Sequence, residues 1–203
     1  MKKLYLEFAS GLVHMGAIKF GDFILKSGAK SPFYIDLRLL RSSPEMLRAG
    51  AGILSDLTIQ GPSFERIADV PTAATPLVTA MVVLHNLQMI TPREAKGHGT
   101  KVTIEGHYLP GMKVRLIDDL ITKATSKLES IKILREAGLI VEEVCVIIDR
   151  EQGGKEELAK AGVNLRAAFT AREFMDHCYV AGVVPPQQRD EIMAYLDSQA
   201  VPS

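Results

Sequence analysis

Two acids, Asp118 and Asp119, stand at the end of the apolar run KVRLI. After Leu120 and Ile121 comes the hydroxyl-rich stretch Thr122-Lys123-Ala124-Thr125-Ser126. Adjacent residues on an extended chain point to opposite sides, so neighbouring carboxylates do not chelate one ion as a simple pair. They suit a ligand with hydroxyls on neighbouring carbons, such as a ribose diol. A helix starting just after the hydroxyl stretch presents backbone N–H groups to an anion, reinforced by its dipole. Diol-binding acids beside a phosphate cradle fit a ribose 5-phosphate. The competing reading is that Asp119 or Ser126 only caps the helix, the common use of such residues. The ordered series of apolar run, acid pair, apolar pair and hydroxyl loop favours chemistry.

These residues need a scaffold. Apolar runs at 64–70, 88–91, 113–117, 141–149 and 164–169 read as strands, and the periodicity predicts helices over 75–87 and 126–138. Strands apolar throughout and separated by helices imply an α/β fold, a doubly wound parallel sheet covered on both faces. Ligands of such sheets sit at the carboxyl ends of the strands, where Ile117 is expected to close its strand and Asp118 and Asp119 to emerge. An amphipathic helix opens the chain and another closes it. The turn-rich first 40 residues suggest a cap over the sheet, and residues 92–111 are either a plain surface hairpin or a mobile lid.

Composition narrows the classes of function. The 203 residues favour one domain, 1–203, and 47% hydrophobic content excludes disorder. Lys plus Arg equals Asp plus Glu at 24 each, which argues against a dedicated nucleic-acid binder. No apolar run approaches the roughly 18 residues of a membrane span. Cys145 and Cys178 lie in no metal-ligand or CxxC spacing, and a reducing cytoplasm is the expected location.

The segment from Ile117 to Ser126 resembles the phosphoribosyl pyrophosphate (PRPP) signature of type I phosphoribosyltransferases. FGDFILKSGAKSPFYI (20–35), VPTAATP (70–76), REAKGHGT (93–100) and IIDREQGG (147–154) occur in the same order as in orotate phosphoribosyltransferases. The resemblance covers most of the chain. It implies transfer of phosphoribosyl from PRPP to N1 of orotate, with Mg²⁺ carried by PRPP, in a cytoplasmic homodimer with shared active sites. It also implies that residues 1–40 and part of the C-terminal region form a hood and that 92–111 is a mobile loop from the neighbouring subunit. On this pattern Asp118, Asp119, Leu120, Ile121, Thr122, Lys123, Ala124, Thr125 and Ser126 hold the ribose and 5′-phosphate. Thr122 also reaches orotate, whose carboxylate pairs with Arg150, while Lys26, Tyr34 and Ile35 line the base site. Thr72 and Ala73 face the pyrophosphate, which Lys26, Arg93, Lys96 and His98 also serve.

The chemistry supports these placements. Breaking the C1–O bond of PRPP builds positive charge on the ribose and negative charge on pyrophosphate, so cations belong at the leaving group and acids at the ribose. His98 has a pKa suited to donating a proton there, Gly97 and Gly99 give its loop freedom, and a closing lid keeps water from the activated ribose. Each residue also has an ordinary reading. Lys26 and Lys30 suit a solvated cap, Arg150 a pairing with Asp149 or Glu151, His98 a surface loop, and Phe33 and Tyr34 packing. His14, His85, His107 and His177 show no ligand spacing.

The chain departs from the family pattern in three places. One cation is missing at the start of the lid, leaving open whether Arg93 replaces it. Thr72-Ala73 stands where many bacterial members carry Tyr-Lys. Ala124 takes a common glycine position and is expected to avoid a positive φ, while Lys123 either adds charge at the 5′-phosphate or points to solvent. Competing functional readings are a PRPP-binding regulator, a catalytically weakened paralogue and a purine phosphoribosyltransferase. The balanced charge counts against the first, and Arg150 with Lys26 against the last.

Overall fold

The computed structural model describes residues 2–24, 30–93 and 103–199. The chain opens with α1 (Lys2–His14), and the antiparallel hairpin β1 (Ile18–Ile24) and β2 (Lys30–Ile35) comes next. A 3-10 turn (Leu37–Ser42) leads into α2 (Pro44–Ile59), which begins as its sequence dictates. Ser43 caps it by accepting from the Met46 N–H, and Pro44 occupies the first turn, where no N–H is required.

From there strands and helices alternate: β3 (Arg66–Asp69), α3 (Thr75–His85), β4 (Met89–Pro92), β5 (Ile104–Glu105), β6 (Lys113–Ile121), α4 (Thr125–Glu136), β7 (Ile140–Asp149), α5 (Gly154–Lys160) and β8 (Asn164–Thr170). Two helices, α6 (Ala171–Val180) and α7 (Pro186–Gln199), complete the described chain, α6 entering through a reciprocal Thr170–Glu173 capping box. The six-stranded sheet runs β5-β4-β3-β6-β7-β8. All its pairings are parallel except the short edge pair β4–β5.

Period-two alternation sends successive strand residues to opposite faces. Ile67, Ile117 and Cys145 join a core with Phe8, Leu54, Met81 and Phe174 from α1, α2, α3 and α6. Ala68, Leu116 and Val146 join a second core with Ile131 and Leu134 of α4 and Leu158 of α5. This is the doubly wound arrangement expected, with an antiparallel edge. Helix α7 packs its Ile192 and Leu196 into the first core, and its Tyr195 meets Phe33 of β2 edge-on at 6.0 Å. Helix α7 thus packs against the N-terminal hairpin.

Candidate active site

Strand β6 continues past Ile117. It stays paired with β7 through Ile121, so Asp118 and Asp119 lie within the strand, 3% and 8% exposed, and do not emerge beyond it. The reason lies in β7, whose backbone reaches Asp149. Leaving 118–121 unpaired would strand buried N–H and C=O groups. The acids still diverge as alternation requires. Asp118 faces α4, where its Oδ2 forms an ion pair with Lys127 Nζ, and its Oδ1 accepts the Asp119 N–H at 2.8 Å. Burial pushes the Asp118 carboxyl above the usual range; Lys127 opposes the rise and Asp119 adds to it. Asp119 accepts the Leu120 N–H at 2.7 Å, and its charge acts on Arg38 of the 3-10 turn. Asp36 pins that guanidinium through two charge-assisted bonds of 2.6 and 2.7 Å.

Beyond Ile121 the chain turns into α4. Neither Asp119 nor Ser126 caps this helix. Its N-cap is Ala124, which offers no side-chain acceptor, so the first-turn N–H groups carry no cap and suit an anion. The expectation that Ala124 avoids a positive φ is overturned: it sits at φ 63°, ψ 2°. A left-handed residue is what reverses the chain from strand to helix here, and alanine bears a cost of about 1–2 kcal/mol for it. Its methyl group is buried in the α4-side core. Exposed Lys123 lines a groove between α4 and α5 with Thr125, Gln152 and Gly153.

The second glycine of DREQGG has a structural reason. A Cβ on Gly154 would lie 2.4 Å from the Thr122 carbonyl and 2.6 Å from the Ile121 side chain. Only glycine lets α5 start so close to the hydroxyl loop.

Arg150 comes directly after β7. The expected alternative, pairing with Asp149 or Glu151, does not occur. Asp149 accepts the Glu151 N–H at 2.9 Å, and Glu151 pairs with Arg172 at 3.3 Å. Arg150 is 6% exposed and stacks its guanidinium over the Phe33 ring at 4.9 Å. Its Nε and Nη2 have no hydrogen-bond acceptor among the described residues. Burial lowers its pKa, opposed by Tyr195 and Tyr34 nearby. Phe33 is fully buried and therefore packs, while Tyr34 is half-buried beside this group and Ile35 is buried.

Thr72 and Ala73 lie in the turn between β3 and α3, where Arg41 donates to the Thr72 carbonyl at 3.3 Å. Buried Asp69 braces the turn by accepting from the hydroxyls of Thr75 and, at 2.5 Å, Thr91. Arg93 donates its N–H to the Thr103 carbonyl at 2.8 Å and pairs with Glu105 at 3.1 Å, extending the β4–β5 pairing so that residues 91–93 and 103–105 form a stem. Lys26, Lys96 and His98 lie outside the described residues.

Reading the sequence missed Lys127, Arg38, Arg41 and Tyr195. Lys127 had a signal, since a lysine in the first helical turn opposes the dipole and needs another reason to be there. Arg38, Arg41 and Tyr195 had none, because each reaches the site through tertiary packing.

No family model matches the chain. An orotate phosphoribosyltransferase of Caenorhabditis elegans is 34% identical over 94% of this chain and 85% of its own length. Among solved structures, Leishmania donovani UMP synthase matches 95% of this chain and 42% of its own with a TM-score of 0.85 and 35% identity. The orotate phosphoribosyltransferase of Aeropyrum pernix matches 85% of this chain and 98% of its own with a TM-score of 0.75 and 31% identity. With acids, uncapped helix start and buried arginine at the carboxyl ends of β6 and β7, and with relatives of this identity and coverage, the chain belongs to the orotate phosphoribosyltransferase family.

Proposed function

We propose that this protein joins PRPP and orotate into orotidine 5′-monophosphate and pyrophosphate, a step of pyrimidine (UMP) biosynthesis, through the site at the carboxyl ends of β6 and β7. The observation that carries the reading is Arg150. It is a buried cation with two nitrogens lacking described acceptors, placed on an aromatic floor, and it calls for a planar anion such as the orotate carboxylate. Tyr34, Ile35 and Thr122 border the same base, to which Lys26 is also assigned by the family pattern. The ribose lies along Asp119 and Asp118, and the 5′-phosphate takes the uncapped amides of α4 with Thr122, Lys123, Thr125 and Ser126 around it.

In the reaction the C1–O bond to pyrophosphate breaks and orotate N1 takes its place on C1. The positive charge that develops on the ribose faces Asp118 and Asp119. The departing pyrophosphate faces Thr72, Ala73 and Arg93, with Lys96 and His98 supplying charge and a proton. Mg²⁺ carried by the PRPP diphosphate would supply positive charge to the leaving group.

A cytoplasmic homodimer completes the proposal, with 92–111 serving the neighbouring site. An apolar face on α2 and α3, with Leu47, Pro76, Ala80, Leu84 and Val83 (78% exposed), supports it as the surface a second copy covers. No helix among the described residues is long and apolar enough to cross a membrane.

The test is consumption of orotate, monitored by its absorbance, with PRPP and Mg²⁺ present and hypoxanthine, guanine and uracil as controls. PRPP binding without orotate consumption would mark a regulator or weakened paralogue and overturn the reading. Mixing Lys96→Ala with Arg150→Ala chains tests the shared site: heterodimers regain activity if the loop serves its neighbour, and no regain on verified exchange excludes it.

A further inference from the structure

Lys127 stands at a costly position. It lies in the first turn of α4, where the helix dipole disfavours a cation, and its side chain is only 8% exposed. A buried ion pair is no more stabilising than apolar residues of similar volume, so helix stability does not account for the lysine. Its contacts do. Lys127 Nζ forms an ion pair with Asp118 Oδ2 and lies 3.5 Å from Ser126 Oγ. One ammonium therefore touches an acid of the ribose pair and a hydroxyl of the phosphate cradle.

We propose that Lys127 is a positioning residue for PRPP, holding the Asp118 carboxylate against α4, apart from that of Asp119, and in register with the phosphate cradle. The inference rests on the reading of the end of β6 and the start of α4 as the PRPP site. Without the ammonium, two carboxylates on consecutive residues repel in a buried setting, and Asp118 relaxes by taking up a proton or turning. A protonated Asp118 donates to a ribose hydroxyl instead of accepting from it and gives no help to positive charge on the ribose. Burial and Asp119 both drive Asp118 toward the protonated form, and Lys127 opposes them. Among the described residues, the charged groups acting on Asp118 are Lys127 from α4 and Asp119 from its own strand; its register partner in β7 is apolar Val146.

The experiment compares wild type, Lys127→Met, Lys127→Arg, Asp118→Asn and the Lys127→Met/Asp118→Asn double variant. It measures kcat and KM for PRPP and for orotate from pH 5.5 to 9.5, with circular dichroism verifying the fold. In Lys127→Met the acidic limb of kcat/KM for PRPP should move up by about one pH unit or more, with roughly a tenfold loss near neutrality. KM for orotate should stay within about twofold, and Lys127→Arg should recover most of the loss. The double variant should be no worse than Asp118→Asn alone, since the lysine acts through the acid. Should Lys127→Met fail to fold, the double variant lacks both buried charges and decides the question through that comparison. An unshifted pH limb in Lys127→Met, or a double variant worse than Asp118→Asn, overturns the proposal. A wild type that consumes no orotate instead overturns the underlying reading, so the two failures are distinguishable.

Discussion

Replacing Arg150 by methionine separates binding from stability at the base site. The guanidinium is 6% exposed and stacked on Phe33 at 4.9 Å, and methionine keeps a long apolar stem over that ring. A hydrogen bond to a charged group contributes about 1.5–3 kcal/mol, and each 1.4 kcal/mol is about tenfold in affinity. Loss of the carboxylate contact should therefore raise KM for orotate by roughly 10- to 150-fold. KM for PRPP should move by less than about threefold, because the proposed PRPP site lies on β6 and α4. Stability should respond differently. Removing one partner of a buried ion pair costs about 3–5 kcal/mol. Arg150 has no described ion-pair partner, and burial already disfavours its charge. What the variant gives up is a cation–π contact of about 0.5–2 kcal/mol, offset by relief of desolvation, so unfolding free energy should change by about 1 kcal/mol or less. Orotate kinetics by absorbance and urea unfolding monitored by circular dichroism measure the two quantities. An orotate KM within about threefold of wild type, or a stability loss above about 3 kcal/mol with both substrates equally affected, would refute this account of Arg150.

Gly154→Ala should lower activity by at least about tenfold, because its Cβ meets the Thr122 carbonyl and pushes the hydroxyl loop off α5; KM for PRPP reads the displacement. Ala124→Gly should be close to neutral in unfolding free energy. It relieves about 1–2 kcal/mol of left-handed strain but loses a buried methyl worth about 0.8 kcal/mol and adds chain entropy of about 0.4–1 kcal/mol. A loss above about 2 kcal/mol in urea unfolding contradicts the left-handed backbone at this residue. Asp149→Asn probes the carboxyl that burial pushes upward. A raised folded-state pKa contributes stability below the unfolded value of about 3.9, and that contribution is lost as pH rises through the folded value. The variant should therefore gain stability relative to wild type from pH 4 to pH 8, and a flat difference between the two across that range would exclude the shift.

Much of this molecule comes from local rules that need no third dimension. The alternation of apolar runs with helical periodicity specified the doubly wound sheet, and period-two alternation sent Asp118 and Asp119 to opposite sides. The order of acids, apolar pair and hydroxyl loop pointed to a diol site beside an anion site, because backbone geometry aims the free N–H groups of a helix start at the space beyond the strand end. What the sequence left undecided depended on partners distant along the chain. That β6 runs on to Ile121 depended on how far β7 offers its backbone. That Arg150 ignores Asp149 and Glu151 depended on Arg172 from α6 engaging Glu151 and on Phe33 lying beneath the guanidinium. The left-handed Ala124 depended on the turn the chain must make into α4, and the need for Gly154 on the approach of α5 to Thr122. Residue types and spacing determined which chemistry this chain carries. Packing determined which charges meet, since burial, and not sequence distance, sets whether a cation is neutralised by its neighbours or held ready for a ligand.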